Sequence, residues 1–115
     1  MASPSSQQCE LASKSCVPCR GGVPPLTREQ IEPLLDQLSA WSVETGHHLT
    51  KSYDFDDFAT ALDFVNRVGQ VAEQEGHHPD LLLSWGKVSI DLWTHKIDGL
   101  SESDFILAAK CDQVR

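Results

Sequence analysis

Glu73-Gln-Glu-Gly76-His77-His78-Pro79 places a carboxylate and two imidazoles in one short segment, and Thr94-His95 adds a third imidazole downstream. Histidine is the side chain whose unperturbed pKa lets both protonation states coexist near neutrality. Several imidazoles in one site can therefore give a proton to one atom and take one from another in a single turnover. An elimination needs both transfers. Zinc is the competing reading of three histidines and a glutamate. It fits poorly, because helical or β ligands usually come as His-x3-His or His-x-His, with both rings on one face. His77 and His78 are adjacent, so the expectation is a site with no metal.

Local rules suggest how these side chains are held. Glu73 lies four residues before His77, one helical turn away, and is expected to orient or charge-tune that imidazole. Pro79 pushes His78 toward extended backbone, and extended neighbours point in opposite directions. His95 is expected to end a strand, on the face shared by Asp91 and Trp93 and opposite Val88, Ile90 and Leu92. His47-His48 follow Thr45-Gly46 in a hairpin turn and are read as lying outside the site.

The elements that must position these residues follow from spacing. Thr27-Arg-Glu-Gln30 is a capping box, and Ile31, Leu34, Leu35 and Leu38 continue on one helical face, with Pro33 straining the first turns. Trp41–Thr45 and Leu49–Phe55 alternate and read as a hairpin around Gly46. Asp54 or Asp56 is expected to cap a long helix carrying Phe58, Leu62, Val65, Val68 and Ala72, with Gly76 as its stop. Leu81–Trp85 and Lys87–Thr94 read as strands joined at Gly86. Ser101-Glu-Ser-Asp104 opens a last helix bearing Phe105, Ile106, Ala108 and Ala109. The order α-β-β-α-β-β-α predicts an α+β two-layer sandwich, a four-stranded antiparallel sheet with helices on one face.

Composition narrows the class. At 115 residues, 40% hydrophobic and 23% charged, the chain fits one globular domain: an N-terminal Cys/Pro/Gly-rich arm over 1–26, then a domain over 27–115. The arm reads as extended and aperiodic. A net charge of −8 argues against nucleic acid as a partner. No apolar run is long enough to cross a membrane, and the N-terminus has neither a basic start nor an apolar segment, so no secretory signal is expected. Cys16-Val-Pro-Cys19 has redox-motif spacing but no βαβ context and no second CxxC. Cys9, Cys16, Cys19 and Cys111 therefore read as reduced thiols.

Taken in order, Glu73-x-x-x-His77-His78-Pro79, Trp85, Val88, Thr94-His95 and Gly99-Leu100-Ser101 resemble the pterin-4a-carbinolamine dehydratases. Asp57-Phe58-x-x-Ala61-x-x-Phe64-x-x-x-Val68 upstream and Asp104 downstream extend the likeness over roughly residues 25 to 113. Many members also carry a similar Cys-x-Pro-Cys-x-Gly-Gly arm. The resemblance implies the same architecture and the dehydration of a 4a-hydroxytetrahydropterin to quinonoid dihydropterin, with no cofactor. It implies His77, His78 and His95 as catalytic residues, and Glu73, Pro79, Trp85 and Thr94 as substrate-binding or supporting ones. It also implies a homodimer or homotetramer, in the cytoplasm with the nucleus as an alternative. Gly76 and Leu81 depart from the family pattern, where an acidic residue and an aromatic are common. The alternative function is a non-enzymatic one, as a dimerisation cofactor of a transcription factor, known for some animal members. Spacing does not divide the two proton transfers among the imidazoles.

Overall fold

The computed structural model describes residues 6–16 and 23–115, with side chains from residue 10 onward. Two helices, α1 (Ser6–Ser13) and α2 (Arg28–Leu35), precede a hairpin of β1 (Ser42–Glu44) and β2 (His48–Asp54). Then come α3 (Phe58–Glu75), a second hairpin of β3 (Asp80–Ser84) and β4 (Lys87–Leu92), a 3-10 turn (His95–Ile97) and α4 (Glu102–Gln113). The strands form one antiparallel sheet in the order β1-β2-β4-β3. From α2 onward this is the expected α+β architecture.

Alternation explains why the helices cover one face. Leu49 and Tyr53 of β2 and Val88, Ile90 and Leu92 of β4 are buried, while Ser52 and Ser89 meet across the open face, hydroxyl to hydroxyl at 3.0 Å. Helix α3 seals the buried face with Ala61, Phe64, Val68 and Ala72. Its apolar stripe is rotated from the expected one: Phe58 and Leu62 sit on its flank, 44% and 39% exposed. The cap also differs, since Asp57, one residue beyond the expected position, accepts the Thr60 N–H at 2.8 Å. The capping box at Thr27 forms as expected, and Pro33 is carried inside the short helix α2.

Helix α4 is the centre of the core. Phe105, Ile106, Leu107, Ala108 and Ala109 are all buried, so the helix is apolar around its whole circumference. Helix α1 packs on α4, and its Leu11 and Ala12 are buried in the same core. The expectation of an extended lead-in is corrected here: residues 6–13 are helical. So short a helix has too little local stability to be seen in its sequence, and tertiary packing sustains it. The Lys110 ammonium donates to the Ala12 carbonyl at 2.7 Å and ties down its C-terminal end. Cys19 and the Cys9 side chain lie outside the described residues.

Candidate active site

The antiparallel register brings the start of β2, the end of β4 and the start of β3 to one end of the sheet. His47-His48, Trp93-Thr94-His95 and His77-His78 flank those strand ends. All five histidines of the chain thus gather there, with the central Thr94-His95 segment between the two pairs. His47 and His48, set aside on sequence grounds, belong to this end of the molecule.

Gly76 ends α3 in the left-handed conformation at φ 65°, and the His77 N–H reaches back to the Ala72 carbonyl at 3.2 Å. That reversal turns His77 out of the helical register and toward α4. Its Nε2 lies 2.5 Å from Asp104 Oδ1. Asp104 is fully buried, and Oδ2 accepts from the Thr94 hydroxyl at 2.8 Å and the Ser101 N–H at 2.9 Å. These donors offset the cost of burying a carboxylate. An ionised Asp104 requires a hydrogen on His77 Nε2, so Nδ1 is the nitrogen free to exchange a proton. Sequence spacing alone gave Asp104 only the role of opening a helix. Its place in a Ser101/Asp104 capping box, next in space to Thr94, is what makes it a partner of His77.

His78 points the other way, as extended neighbours do. Its Nε2 lies 3.1 Å from Glu73 Oε1, with both side chains largely exposed. Glu73 therefore pairs with His78, and the expected Glu73–His77 contact is replaced by Asp104. Glu73, His78 and Pro79 border an open groove of about 860 Å³ that runs over Val65, Gly69 and Leu81. His77 and His95 are not in its lining.

His95 opens the 3-10 turn instead of ending a strand, and its exposed ring packs on Trp93, centroids 4.5 Å apart. Thr94 is buried beneath it and bridges to Gly99 in an isolated β-bridge. Asp104 thus joins the His77 segment to the Thr94-His95 segment through two of its own hydrogen bonds. Trp85 is the expected site residue the fold does not bring near. It follows β3 at the far end of that strand, roughly 17 Å from Asp80 at about 3.3 Å per residue, and is 70% exposed. Among the described residues, no group of three or more His, Cys, Asp or Glu is arranged to hold a metal ion.

The antiparallel α+β fold has solved counterparts. The fold matches a structure described as a transcriptional coactivator/pterin dehydratase from Brucella melitensis, with TM-score 0.74 and 31% identity, covering 78% of this chain and 97% of that one. It also matches a pterin dehydratase-like protein described as a RuBisCO assembly factor in the alpha-carboxysome, with TM-score 0.57 and 22% identity over 66% of this chain and 89% of that one. The latter likeness is one of fold.

Residues 24–114 match the sequence profile of the pterin 4 alpha carbinolamine dehydratases, and the chain belongs to that family. A relative from Rubrobacter xylanophilus, provisionally named a pterin-4-alpha-carbinolamine dehydratase, is 57% identical over 91% of this chain and 98% of its own length. Another from Alkaliphilus metalliredigens, with the same provisional name, is 56% identical over 90% of this chain and 94% of its own.

Proposed function

We propose that the chain dehydrates a 4a-hydroxytetrahydropterin to the quinonoid dihydropterin and water, with His77 and His95 as the general acid/base pair. The observation that carries this reading is the buried Asp104, which holds His77 by one oxygen and Thr94, the neighbour of His95, by the other. One imidazole protonates the 4a-oxygen as the C4a–O bond breaks. The N5 lone pair supports the cation that forms, and the second imidazole removes the N5 proton. Protons and electrons balance without a redox partner, a metal or a cofactor. In this reading His78 positions the substrate at the groove it borders, and Glu73 holds the His78 ring.

The same reading includes a homo-oligomer in the cytoplasm. Strand β3 is a sheet edge whose outward Leu82 is 65% exposed, next to the exposed Trp85. Open apolar edges favour pairing with another chain. Antiparallel pairing of β3 with that of a second copy would bring the copy's Trp85 toward the Asp80 end of the first chain, beside Pro79. Exposed Phe58 and Leu62 on α3 favour a second reading, in which a helix face binds a regulatory protein partner. The Brucella relative, 31% identical and described as a transcriptional coactivator as well as a pterin dehydratase, supports the same reading.

Purified protein is expected to accelerate carbinolamine dehydration above the spontaneous rate, and to keep that rate after exhaustive chelation. No acceleration would leave the binding role standing. Activity lost on chelation and restored by zinc would overturn the metal-free part. Sedimentation as a monomer at micromolar concentration would remove the oligomer.

A further inference from the structure

His95 sits in a 3-10 turn of only three residues, and among the described residues its ring has no hydrogen bond. Its ring contact is the Trp93 indole, 4.5 Å away at an interplanar angle of 53°. A group that moves protons must be held more firmly than such a turn holds itself, and the surroundings supply the hold. The Trp93 ring is flanked on the β1–β2 hairpin by His47 at 5.4 Å and His48 at 6.0 Å. His47 is fixed at both nitrogens: Nδ1 lies 3.1 Å from His48 Nδ1, and Nε2 lies 2.7 Å from Asp98 Oδ1.

Asp98 closes the circuit. It is the residue that ends the His95 turn, and its N–H donates to the His95 carbonyl at 3.2 Å. Its backbone is left-handed, φ 48° and ψ 48°, a conformation that side-chain-bearing residues adopt at a cost and keep when their surroundings hold them there. Glycine would fit that backbone more easily. What aspartate adds is a carboxylate aimed at His47. The contacts therefore run from His95 to Trp93, to His47, to Asp98 and back through the backbone to His95.

We propose that His47 is a positioning residue for His95, acting through Asp98 and Trp93 to hold the 3-10 turn against the sheet. It takes no part in proton transfer. Thr94, anchored on Asp104, fixes the turn from below, and the His47–Asp98 contact fixes it from above. The proposal rests on the reading of His95 as half of the acid/base pair, but the turn's rigidity can be measured without any substrate.

Asp98→Gly fits the left-handed backbone and removes the carboxylate, but it also frees the chain, so a variant that leaves the turn's backbone untouched is read beside it. His47→Ala removes the other end of the contact, and circular dichroism checks that both variants fold. The Asp98 side chain is 88% exposed, so amide hydrogen exchange at positions 98 and 99, whose N–H groups close the turn on His95 and Thr94, should quicken about two- to fivefold in each variant. kcat should fall about ten- to a hundredfold with KM little changed, as small misplacements of catalytic groups do. The double variant should be no worse than the more damaged single, since both break one contact. Asp98→Asn, which keeps an oxygen for His47 and tolerates the backbone, should recover part of the rate. Unchanged exchange in both variants overturns the proposal, and so does quickened exchange with an unchanged kcat. A wild-type protein without dehydratase activity sinks the catalytic reading instead, and exchange alone then judges the positioning.

Discussion

Helix α4 carries an aspartate near each end, and the two have opposite partners. Asp112, near the C-terminal end, accepts from the Trp41 indole at 3.1 Å, the Lys51 ammonium at 2.7 Å and the Tyr53 hydroxyl. Lys51 in turn lies over the Trp41 and Tyr53 rings. Indole, ammonium and phenol hydroxyl all act as donors here, and the cluster pins α4 to β2. Asp104, at the N-terminal end, accepts from Thr94 and Ser101 but gives its other oxygen to His77. That partner is an imidazole, a side chain whose two ring nitrogens can each donate or accept a proton. Both carboxylates are satisfied, and only one faces a group that can change state. Burial and hydrogen bonding therefore do not distinguish a working carboxylate from a structural one; the chemistry of the donor does.

Exchanging carboxylate for amide at each end separates the two roles. Asp104→Asn is expected to lower kcat about 10²-fold, because the amide can present an N–H to His77 and misplace its proton. Asp112→Asn should leave kcat within twofold but cost about 1–3 kcal/mol of stability, measured by urea denaturation. Equal kcat losses at the two ends would erase the distinction. A smaller step is Thr94→Val, which removes one donor to Asp104 while keeping shape. A rate loss of about tenfold is expected, corresponding to roughly 1.4 kcal/mol.

Groups at both ends of α4 predict how stability varies on the alkaline side. Burial, then the nearby Asp112 charge, pushes the Tyr53 hydroxyl up from 10.0. The Cys111 thiol is pushed from 9.0 to about 12, again by burial first and Asp112 second. Cys16, raised by burial and then by Glu75, also reaches about 12. These groups hold their protons more tightly folded than unfolded, so their contribution is complete below pH 9.0. It is lost as pH rises toward about 12. Under reducing conditions the urea midpoint should hold to about pH 9 and then fall, and a flat profile up to pH 12 would contradict this.

The smallest effect belongs to the exposed cap of α3. Backbone and side-chain hydrogen bonds from Thr60 hold the Asp57 carboxyl below its ordinary 3.8. Its stabilisation is present above that value and lost as pH falls below it, and Asp57→Ala should flatten that acid limb slightly.

Much of the fold was legible because hairpins, caps and the αL stop at Gly76 are local signals. Helix α1 was not, since only Leu11 and Ala12 mark it and their partner is a helix some 90 residues away. The α3 stripe was misplaced because Phe58 and Leu62 are apolar yet lie on its flank. At the site, the adjacency of His77 and His78 correctly predicted opposite directions. Their partners were not predictable: Glu73 sits at the right helical spacing for His77, but Gly76 breaks the helix between them. Asp104 was hidden by its ordinary place in a capping box, and His47 by its distance along the chain from His95.

The most direct test of the central claim is the single-turnover rate of carbinolamine dehydration for the wild type, His77→Ala, His95→Ala and the double variant. Each single variant is expected to lose about 10²–10⁴-fold with the fold intact, and the double far less than the product of the two, as for groups that act as a unit. Wild-type rates in both single variants would show that His77 and His95 are not the acid/base pair.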